Sequence, residues 1–260
     1  MKYKDFAISL AREAGDIIKK NFMRGMKKEW KSDNTPLTEA DLAINSLVIS
    51  SVKKAFPNHD ILAEEESSLS EKSDFVWVCD PIDGTIPFSH GIPTCVFSLA
   101  LTEKGEVILG VVYDPFMDRM FFAEKNKGAS LNGKKIFVST SKNLKNNVIG
   151  MSLGSQGTPY DLSSLPKELN KKGVKIVDLC SITYAGALVS SGELVATIFP
   201  YLKSHDTAAL KVIVEEAGGK VTDLFGADQR YDKDIKGHLI TNRLLHEELI
   251  KLIKENIKIR

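Results

Sequence analysis

The sequence has few of the features that would place a protein in a membrane or on nucleic acid. Its 260 residues contain no apolar run of about 18 residues, the length that a membrane-spanning helix needs. Lys and Arg number 35 against 34 Asp and Glu, and the formal net charge of +1 argues against a broad basic face for nucleic acid. We therefore expect binding to neither membranes nor nucleic acid.

Cysteines are also scarce, and they are not spaced as metal ligands. There are three, and Cys79 and Cys95 lie in apolar, strand-like runs where a buried, reduced thiol is the expected state. The first helical pattern carries charged residues among its apolar positions, unlike the core of a signal peptide. These features predict a cytoplasmic protein without disulfides.

What the sequence does contain is a regular succession of helix and strand patterns. Apolar residues at helical spacing predict an amphipathic helix over residues 3–22 and a second helix that follows "DNTPLTEAD" and ends at Pro57. Strand patterns dominate residues 75–123, and Asn132-Gly133 predicts a hairpin turn. In the second half, strands such as "VKIVDL" and "LVATIF" alternate with helices such as "ITYAGALVSSG". This order predicts a layered α/β or α+β architecture.

A polar stretch over residues 139–147 is the best candidate for a boundary between lobes. It divides the chain into an N-terminal lobe of helices and antiparallel sheet, residues 1–140, and a C-terminal α/β lobe, residues 141–260. Most of the candidate metal ligands lie in the first lobe, whereas Asp206 and further substrate-facing residues lie in the second. We expect the two lobes to form one compact catalytic unit.

The hexapeptide "DPIDGT", residues 80–85, places two acids three positions apart at the end of the apolar run "FVWVC". Carboxylate oxygens are the ligands that hard divalent cations such as Mg²⁺ prefer. Pro81 fixes the backbone, so that both acids and the Ile82 carbonyl can face one pocket. Gly84 and Thr85 then fall at a helix start, where N–H groups and the helix dipole favour a phosphate.

Further acids lie at the ends of predicted elements, and each has an ordinary structural alternative. Asp41 in "TEAD" could complete a capping box as readily as take part in a reaction. Glu64 and Glu65 end a short apolar strand, although an acidic run of this kind is usually a solvated loop. Asp206 precedes an apolar helix and, taken alone, would be interpreted as its N-cap. Only their convergence with the acids of "DPIDGT" indicates a metal site.

Together these segments resemble the inositol monophosphatase family, Mg²⁺-dependent and lithium-sensitive phosphatases related to fructose-1,6-bisphosphatase. "WVCDPIDGT" matches the family's Asp-Pro-Ile/Leu-Asp-Gly-Thr block, and "ILAEEES" and "TEAD" match its Glu-Glu and Thr-x-x-Asp elements. "HDTAALKVIVEEAGGKVTD" matches the late acid that opens a helix, while "GVVYDP", "LNGKKI" and "LITN" also resemble family segments. The resemblance runs in order over nearly the whole chain. It implies an α-β-α-β-α sandwich, often dimeric, with the active site between its lobes.

The resemblance also implies a role for each acid, with two to three Mg²⁺ ions as cofactors. The metal ligands that it implies are Glu64, Asp80, Ile82 through its carbonyl, Asp83 and Asp206. Asp80 would bridge two ions, and ions about 3.5–4 Å apart can clamp the attacking and leaving oxygens of an in-line displacement. Glu65 would support a further, weaker ion, while Asp41 and Thr85 would orient the attacking water and help to deprotonate it. The implied phosphate and substrate contacts are Gly84, Thr85, Cys180, Ser181, Phe199 and His205.

Three departures from the family pattern bear on the substrate. His205 replaces the usual Trp before the late acid, and we interpret it as a packing group or a partner of Asp206, with a substrate contact as the alternative. Ile86-Pro87 replaces the common Thr-Asn after Asp-Gly-Thr. Counting back from Asp206, Phe199 takes the position of a Glu that binds substrate hydroxyls in inositol-hydrolysing members. A phenylalanine cannot accept hydrogen bonds from a polyol, which puts inositol phosphate in question as the substrate.

These observations predict a Mg²⁺-dependent phosphomonoesterase, a homodimer that acts on a small phosphorylated metabolite through direct attack of water. Fructose-1,6-bisphosphate, histidinol phosphate and 3′-phosphoadenosine nucleotides are alternative substrates for the same machinery. A metal- and phosphate-binding regulator without activity is the alternative from another class, and the retention of every acid in the motifs argues against it. Arg24, Lys27, Lys28 and Lys31 could guide an anionic substrate, although a solvated face is the ordinary interpretation of such a cluster.

Overall fold

The helices and strands alternate along the chain in the order that the sequence predicts. A computed structural model describes residues 2–23, 26–31, 35–70, 73–152 and 157–260. The helices in these ranges are α1 (Tyr3–Asn21), α2 (Glu39–Ala55), α3 (Thr85–Ser89), α4 (Leu165–Lys171), α5 (Ile182–Ser190), α6 (Ala208–Glu216) and α7 (His246–Asn256). The strands are β1 (Glu29–Trp30), β2 (Pro36–Leu37), β3 (Asp60–Ala63), β4 (Phe75–Asp83), β5 (Val96–Glu103), β6 (Glu106–Asp114), β7 (Arg119–Glu124), β8 (Ala129–Leu131), β9 (Lys134–Lys135), β10 (Val148–Met151), β11 (Tyr160–Asp161), β12 (Lys175–Val177), β13 (Ala196–Phe199), β14 (Lys220–Thr222), β15 (His238–Thr241) and β16 (Lys258–Ile259).

The elements stack in five layers. Helices α1 and α2 cover one face of a seven-stranded sheet with the order β3-β4-β5-β6-β7-β8-β9. Helices α5 and α6 lie between that sheet and a five-stranded sheet with the order β12-β10-β13-β15-β14. Helices α4 and α7 cover the outer face of the smaller sheet. This is an α-β-α-β-α sandwich, so the predicted fold class is confirmed.

The local patterns explain why these elements form where they do. Helix α1 buries the stripe that its spacing predicts, including Phe6, Leu10, Ala14 and Ile18. Helix α2 ends two residues before Pro57, as expected for a residue that cannot continue a helix. The predicted helices and the strand-rich middle of the chain are therefore confirmed, with ends shifted by up to about three residues.

Strand β4 carries the "DPIDGT" segment and is buried on both faces. Helices lie on either side of its sheet, which is why "FVWVC" is a continuous apolar run rather than an alternating one. Cys79 on β4 and Cys95 just before β5 are both buried, as predicted. Asn132 and Gly133 have φ values of 50° and 77° and form the predicted turn between β8 and β9.

The division into lobes near residue 140 stays a prediction. The strands of the seven-stranded sheet end at Lys135, and the strands of the five-stranded sheet begin at Val148. However, α5 and α6 come from the second half of the chain and pack on the sheet of the first half, so one hydrophobic cluster draws on both. In the ranges given above, no helix has both the length and the apolar character needed to cross a membrane.

Candidate metal centre

The end of strand β4 brings two acids of "DPIDGT" to one place. Side chains on a regular strand alternate between faces, so residues three positions apart would point in opposite directions. The pairing of β4 with β5 shifts register between Asp80 and Asp83, and this irregularity allows both carboxylates to face the same side. One oxygen of each, together with an oxygen of Asp206, forms a group whose atoms all lie within 4.8 Å of one another.

A second group of ligand atoms shares Asp80 with the first. Glu64 follows β3, which runs parallel to β4, so the carboxyl ends of the two strands meet at one edge of the sheet. The N–H group of Glu64 donates a hydrogen bond of 3.2 Å to the carbonyl of Cys79, which fixes Glu64 beside Asp80. One ligand atom from each of Glu64, Asp80 and His205 lies within 4.8 Å of the other two. The structure thus brings together the four carboxylates that the sequence predicts, and it adds a histidine.

Asp80 shows that this centre fits a divalent cation. Its side chain is only 2% exposed, and Oδ1 has no hydrogen-bond partner in the part of the chain that the structure describes. Burial raises the pKa of Asp80 well above its usual range, and the charges of Glu64 and Asp83 raise it further. A buried carboxylate without donors is costly unless a cation compensates it. Shared carboxylate oxygens are also the ligands that a hard divalent ion takes.

Asp83 also accepts hydrogen bonds from the start of α5. Its Oδ1 accepts a hydrogen bond of 3.1 Å from the N–H of Ile182, and its Oδ2 accepts one of 2.9 Å from the N–H of Thr183. The hydroxyl of Ser181 also donates to this carboxylate. Burial raises the pKa of Asp83 to about 6, although these hydrogen bonds act in the opposite direction. Asp83 therefore joins the first sheet to the middle helix layer.

Asp206 lies in the turn between β13 and α6. Helix α6 begins at Ala208 with Thr207 as its N-cap, so the alternative in which Asp206 serves as the N-cap is wrong. The hydroxyl of Thr183 donates a hydrogen bond of 2.9 Å to the backbone carbonyl of Asp206 and so holds this turn beside α5. Burial raises the pKa of Asp206 well above its usual range, and the charge of Asp83 adds to this effect.

Asp41 takes part in a capping box and also lies beside Thr85. Its Oδ2 accepts hydrogen bonds from the backbone N–H of Thr38 at 2.8 Å and from the hydroxyl of Thr38 at 2.5 Å. The backbone N–H of Asp41 in turn donates to the Thr38 side chain, which completes a capping box. Its Oδ1 lies 3.5 Å from Oγ1 of Thr85, whose hydroxyl donates to the carbonyl of Ile82 at 2.9 Å. Burial raises the pKa of Asp41 to about 7. A carboxylate with this pKa can exchange a proton near neutral pH, as a general base must.

Gly84 starts the short helix α3, as the sequence predicts. Its φ of 94° lies in the left-handed region, and a Cβ at this position would stand 2.6 Å from the carbonyl oxygen of Thr94. Only glycine fits both constraints. Thr85 follows as the first helical residue, and its hydroxyl lies near the Ile82 carbonyl and Oδ1 of Asp41.

A lysine that sequence reasoning did not connect with the acids lies among them. Lys31 donates to Oε1 of Glu64 at 2.8 Å and to Oε1 of Glu65 at 2.6 Å. Burial lowers the pKa of Lys31, but the two carboxylates raise it more, so the net shift is upward. The side chains of Glu64 and Glu65 are only 22% and 8% exposed, which contradicts the alternative of a solvated acidic loop. Charge alone in the sequence could not have paired these residues.

Of the other cations of the predicted cluster, the structure describes Lys27, which is exposed, and Lys28. Lys28 lies over α3, with Nζ 3.0 Å from Nε2 of His90 and 3.4 Å from Oγ of Ser89. Lys27 precedes it in the connection to β1, and Arg24 lies outside the described residues. Because Lys31 is already paired with two acids, a common role of this cluster in guiding an anionic substrate stays a prediction.

The predicted substrate contacts occupy very different environments. Ser181 is the buried N-cap residue of α5, and Cys180 before it is exposed with a φ of 51°. Phe199, which we expected at the substrate, lies instead in the hydrophobic core. It is 2% exposed, and its ring packs edge-on against His238 with centroids 5.3 Å apart. Such a covered ring offers a substrate almost no surface, so an influence of this position on specificity stays a prediction.

His205 is the position where sequence reasoning missed a possibility. We interpreted it as a packing group or a partner of Asp206, and its Nε2 is indeed 3.7 Å from Oδ1 of Asp206. The structure also places it within reach of Glu64 and Asp80. Burial lowers the pKa of His205, which favours the neutral imidazole. A histidine directly before a candidate metal ligand was the signal that could have indicated this placement.

Comparisons with known proteins agree with this geometry. The family model described as the inositol monophosphatase family matches residues 2–258. The fructose-1,6-bisphosphatase/inositol-1-monophosphatase of Thermotoga maritima is 34% identical over 256 residues, covering 98% of this chain and 96% of that protein. Human inositol monophosphatase 1 is 30% identical over 263 residues, covering 96% of this chain and 93% of that protein.

Solved structures show the same relationship. The structure of an IMPase from Thermotoga maritima superposes with a TM-score of 0.88 at 34% identity and covers 98% of both chains. An inositol monophosphatase from Anabaena superposes with a TM-score of 0.85 at 26% identity, covering 97% of this chain and 95% of that one. Because the family model spans almost the whole chain and relatives at 30% identity or more share nearly its full length, the chain belongs to the inositol monophosphatase family.

Proposed function

We propose that this phosphatase hydrolyses a small phosphate monoester at the centre formed by Glu64, Asp80, Asp83 and Asp206. Members of the inositol monophosphatase family act on small phosphate esters, and this chain is an enzyme of that class. The observation that carries the assignment to this centre is the convergence of two groups of candidate ligand atoms on buried Asp80. Such a concentration of buried negative charge needs cations, and cations are what a phosphate ester needs in order to bind beside it.

The two groups of ligand atoms would each hold one divalent ion, with Asp80 common to both. We propose Mg²⁺ as the ion, the Ile82 carbonyl as a further ligand and Glu65 as support for a weaker third ion. Bound divalent ions neutralise the phosphoryl group, lower the pKa of an attacking water and stabilise the leaving oxygen. The protein supplies the positions of the ligands, which are fixed by the end of β4 and the start of α5.

Asp41 and Thr85 are proposed to orient the attacking water and to accept its proton. Oδ2 of Asp41 is held by Thr38, which leaves Oδ1 directed at Oγ1 of Thr85. Burial raises the pKa of Asp41 to about 7 in the metal-free protein, and its place beside Thr85 makes it the proposed acceptor of the proton. The N–H groups of Gly84 and Thr85, together with Cys180 and Ser181, are proposed to face the phosphoryl group.

The substrate is proposed to be a small phosphorylated metabolite. One relative carries both fructose-1,6-bisphosphatase and inositol-1-monophosphatase in its name, which supports testing a sugar bisphosphate beside inositol phosphates. Histidinol phosphate and 3′-phosphoadenosine nucleotides complete the panel. A cytoplasmic homodimer is a further proposal, in which the location rests on the cysteine pattern and the charged first helix, and the dimer rests on the family resemblance.

The test is phosphate release from this panel with and without Mg²⁺. Wild-type protein should release phosphate from at least one ester only with the metal, and Asp80→Asn should abolish that release. Thr85→Ala should lower kcat about 10²- to 10⁴-fold, the range for losing one group of a proton-transfer pair, whereas Thr85→Ser should retain most activity. Metal-independent release, or full activity in Asp80→Asn, would contradict the proposal.

A further inference from the structure

His205 lies close to Glu64 and Asp80 as well as to Asp206. One of its ring nitrogens lies within 4.8 Å of a carboxylate oxygen of Glu64 and of Asp80. Within the described residues, neither ring nitrogen makes a hydrogen bond, and the contact of 3.7 Å between Nε2 and Asp206 is too long to be one. The imidazole of His205 therefore has no hydrogen-bond partner within the described residues, and it lies next to the carboxylates of Glu64 and Asp80.

A second observation points to a ligand at the same place. Oδ1 of Asp80 is buried without a hydrogen-bond partner in the described ranges, although nearly all buried polar atoms in proteins have one. Asp80 belongs both to the group with His205 and to the group with Asp83 and Asp206. A cation between Asp80, Glu64 and His205 would satisfy both the orphaned oxygen and the imidazole.

We propose that His205 supplies a nitrogen ligand when the ion held by Glu64 and Asp80 is a first-row transition metal, so that this group binds Mn²⁺ more tightly than the Mg²⁺ proposed above. The assignment rests on the proposed function, because it uses the same metal centre. Imidazole suits later first-row metals such as Fe²⁺, Ni²⁺, Cu²⁺ and Zn²⁺, and Mg²⁺ prefers oxygen ligands. Mn²⁺ is the weakest binder of the first-row series, but it should still gain more affinity from an imidazole than Mg²⁺ does. The two ligand groups then differ in chemistry. The group of Asp80, Asp83 and Asp206 offers oxygen alone, and the group of Glu64, Asp80 and His205 offers mixed oxygen and nitrogen.

The nitrogen ligand can be observed directly in the full-length protein loaded with Mn²⁺. Pulsed electron paramagnetic resonance detects the hyperfine coupling of a directly bound ¹⁴N nucleus, independently of turnover. Wild-type protein should show this coupling. His205→Phe, which keeps an aromatic ring but has no nitrogen, should lose it. His90→Phe is the matched control, because His90 is exposed at the end of α3 and belongs to neither ligand group, and it should keep the coupling.

Calorimetric titrations with Mn²⁺ and with Mg²⁺ separate the loss of a ligand from general damage to the site. Loss of a nitrogen ligand should weaken Mn²⁺ binding to His205→Phe by about tenfold or more and leave Mg²⁺ binding nearly unchanged. Equal weakening of both ions would mean that His205 only supports the shape of the site, and it would overturn the assignment.

The outcomes also separate this inference from the proposed function. Bound Mn²⁺ without nitrogen coupling in the wild type, or coupling that persists in His205→Phe, would overturn the role of His205 alone. Absence of any Mn²⁺ or Mg²⁺ binding, together with loss of phosphate release, would overturn the metal centre and this assignment with it.

Discussion

The backbone N–H of Thr183 donates a hydrogen bond of 2.9 Å to Oδ2 of Asp83, across 100 positions of the chain. Asp83 ends a strand of the seven-stranded sheet, and Thr183 lies in the first turn of α5, which packs between the sheets. The carboxylate thus meets the N–H groups and the positive end of the helix dipole, a favourable position for an anion. Asp83, a proposed metal ligand, therefore also connects two layers of the fold through hydrogen bonds.

This double role predicts that two isosteric changes in one acid cluster differ in their effect on folding. Asp80→Asn and Asp83→Asn each remove one buried charge, but only Asp83 accepts hydrogen bonds from Ile182 and Thr183. An amide at position 83 would turn a donor toward those N–H groups. Asp83→Asn should therefore have a free energy of unfolding about 1–3 kcal/mol lower than Asp80→Asn. Urea unfolding of both variants in EDTA measures the difference, and equal values would show that these hydrogen bonds contribute nothing.

Asp80→Asn should make the metal-free protein more stable than the wild type. The pKa of Asp80 is raised by burial and then by Glu64 and Asp83, which means that the folded state disfavours its charge. Removing that charge relieves the repulsion, and the metal-dependent gain in stability disappears with it. Melting temperatures in EDTA and in excess Mg²⁺ should show both effects.

Asp16→Asn is the control for that comparison, because the carboxylate of Asp16 is 77% exposed and pairs with Lys19 on the surface of α1. It should leave both melting temperatures unchanged. A lower melting temperature for Asp80→Asn than for the wild type in EDTA would mean that the acids do not repel one another.

Features that depend on neighbouring residues could be predicted from the sequence, whereas contacts between distant segments could not. The meaning of "DPIDGT" could be predicted, because a strand end, a proline and a glycine turn act within six residues. The contact of Asp83 with α5 could not, since its donors lie about a hundred residues away and no local pattern encodes them. The same holds for Lys31, whose partners Glu64 and Glu65 lie 33 and 34 positions along the chain.

Phe199 is a position where counting back from Asp206 predicts an influence on the substrate, whereas the structure shows a covered ring in the hydrophobic core. The structure predicts that Phe199→Glu will destabilise the protein by about 3–5 kcal/mol, because it removes a buried ring and buries a carboxylate among apolar neighbours. Phe199→Leu keeps the position apolar and should cost less. Urea unfolding measures both. If Phe199→Glu were as stable as the wild type and hydrolysed polyol phosphates better, the side chain would face the substrate after all.

His238 should make the protein less stable as the pH falls below neutrality. It is buried between the hydroxyls of Thr207 and Thr197, with Nδ1 at 2.6 Å from the first and Nε2 at 3.4 Å from the second. Burial lowers the pKa of His238 from 6.5 to about 3 in the folded state. Between these values the unfolded chain binds a proton that the folded protein does not, so stability is present above the unfolded pKa and is lost progressively toward pH 3.

The expected slope from this residue is at most about 1.4 kcal/mol per pH unit, the value for one proton. His238→Gln retains a hydrogen-bonding side chain but cannot titrate, so its free energy of unfolding should fall less steeply than that of the wild type. Urea unfolding in EDTA at pH 7, 6 and 5 measures both slopes, and the carboxylates of the metal centre contribute equally to each. His90→Gln, at an exposed position, should follow the wild type. Equal pH dependence of the free energy of unfolding in His238→Gln and the wild type would contradict the prediction. It would mean that His238 can be protonated in the folded protein despite its burial between two threonines.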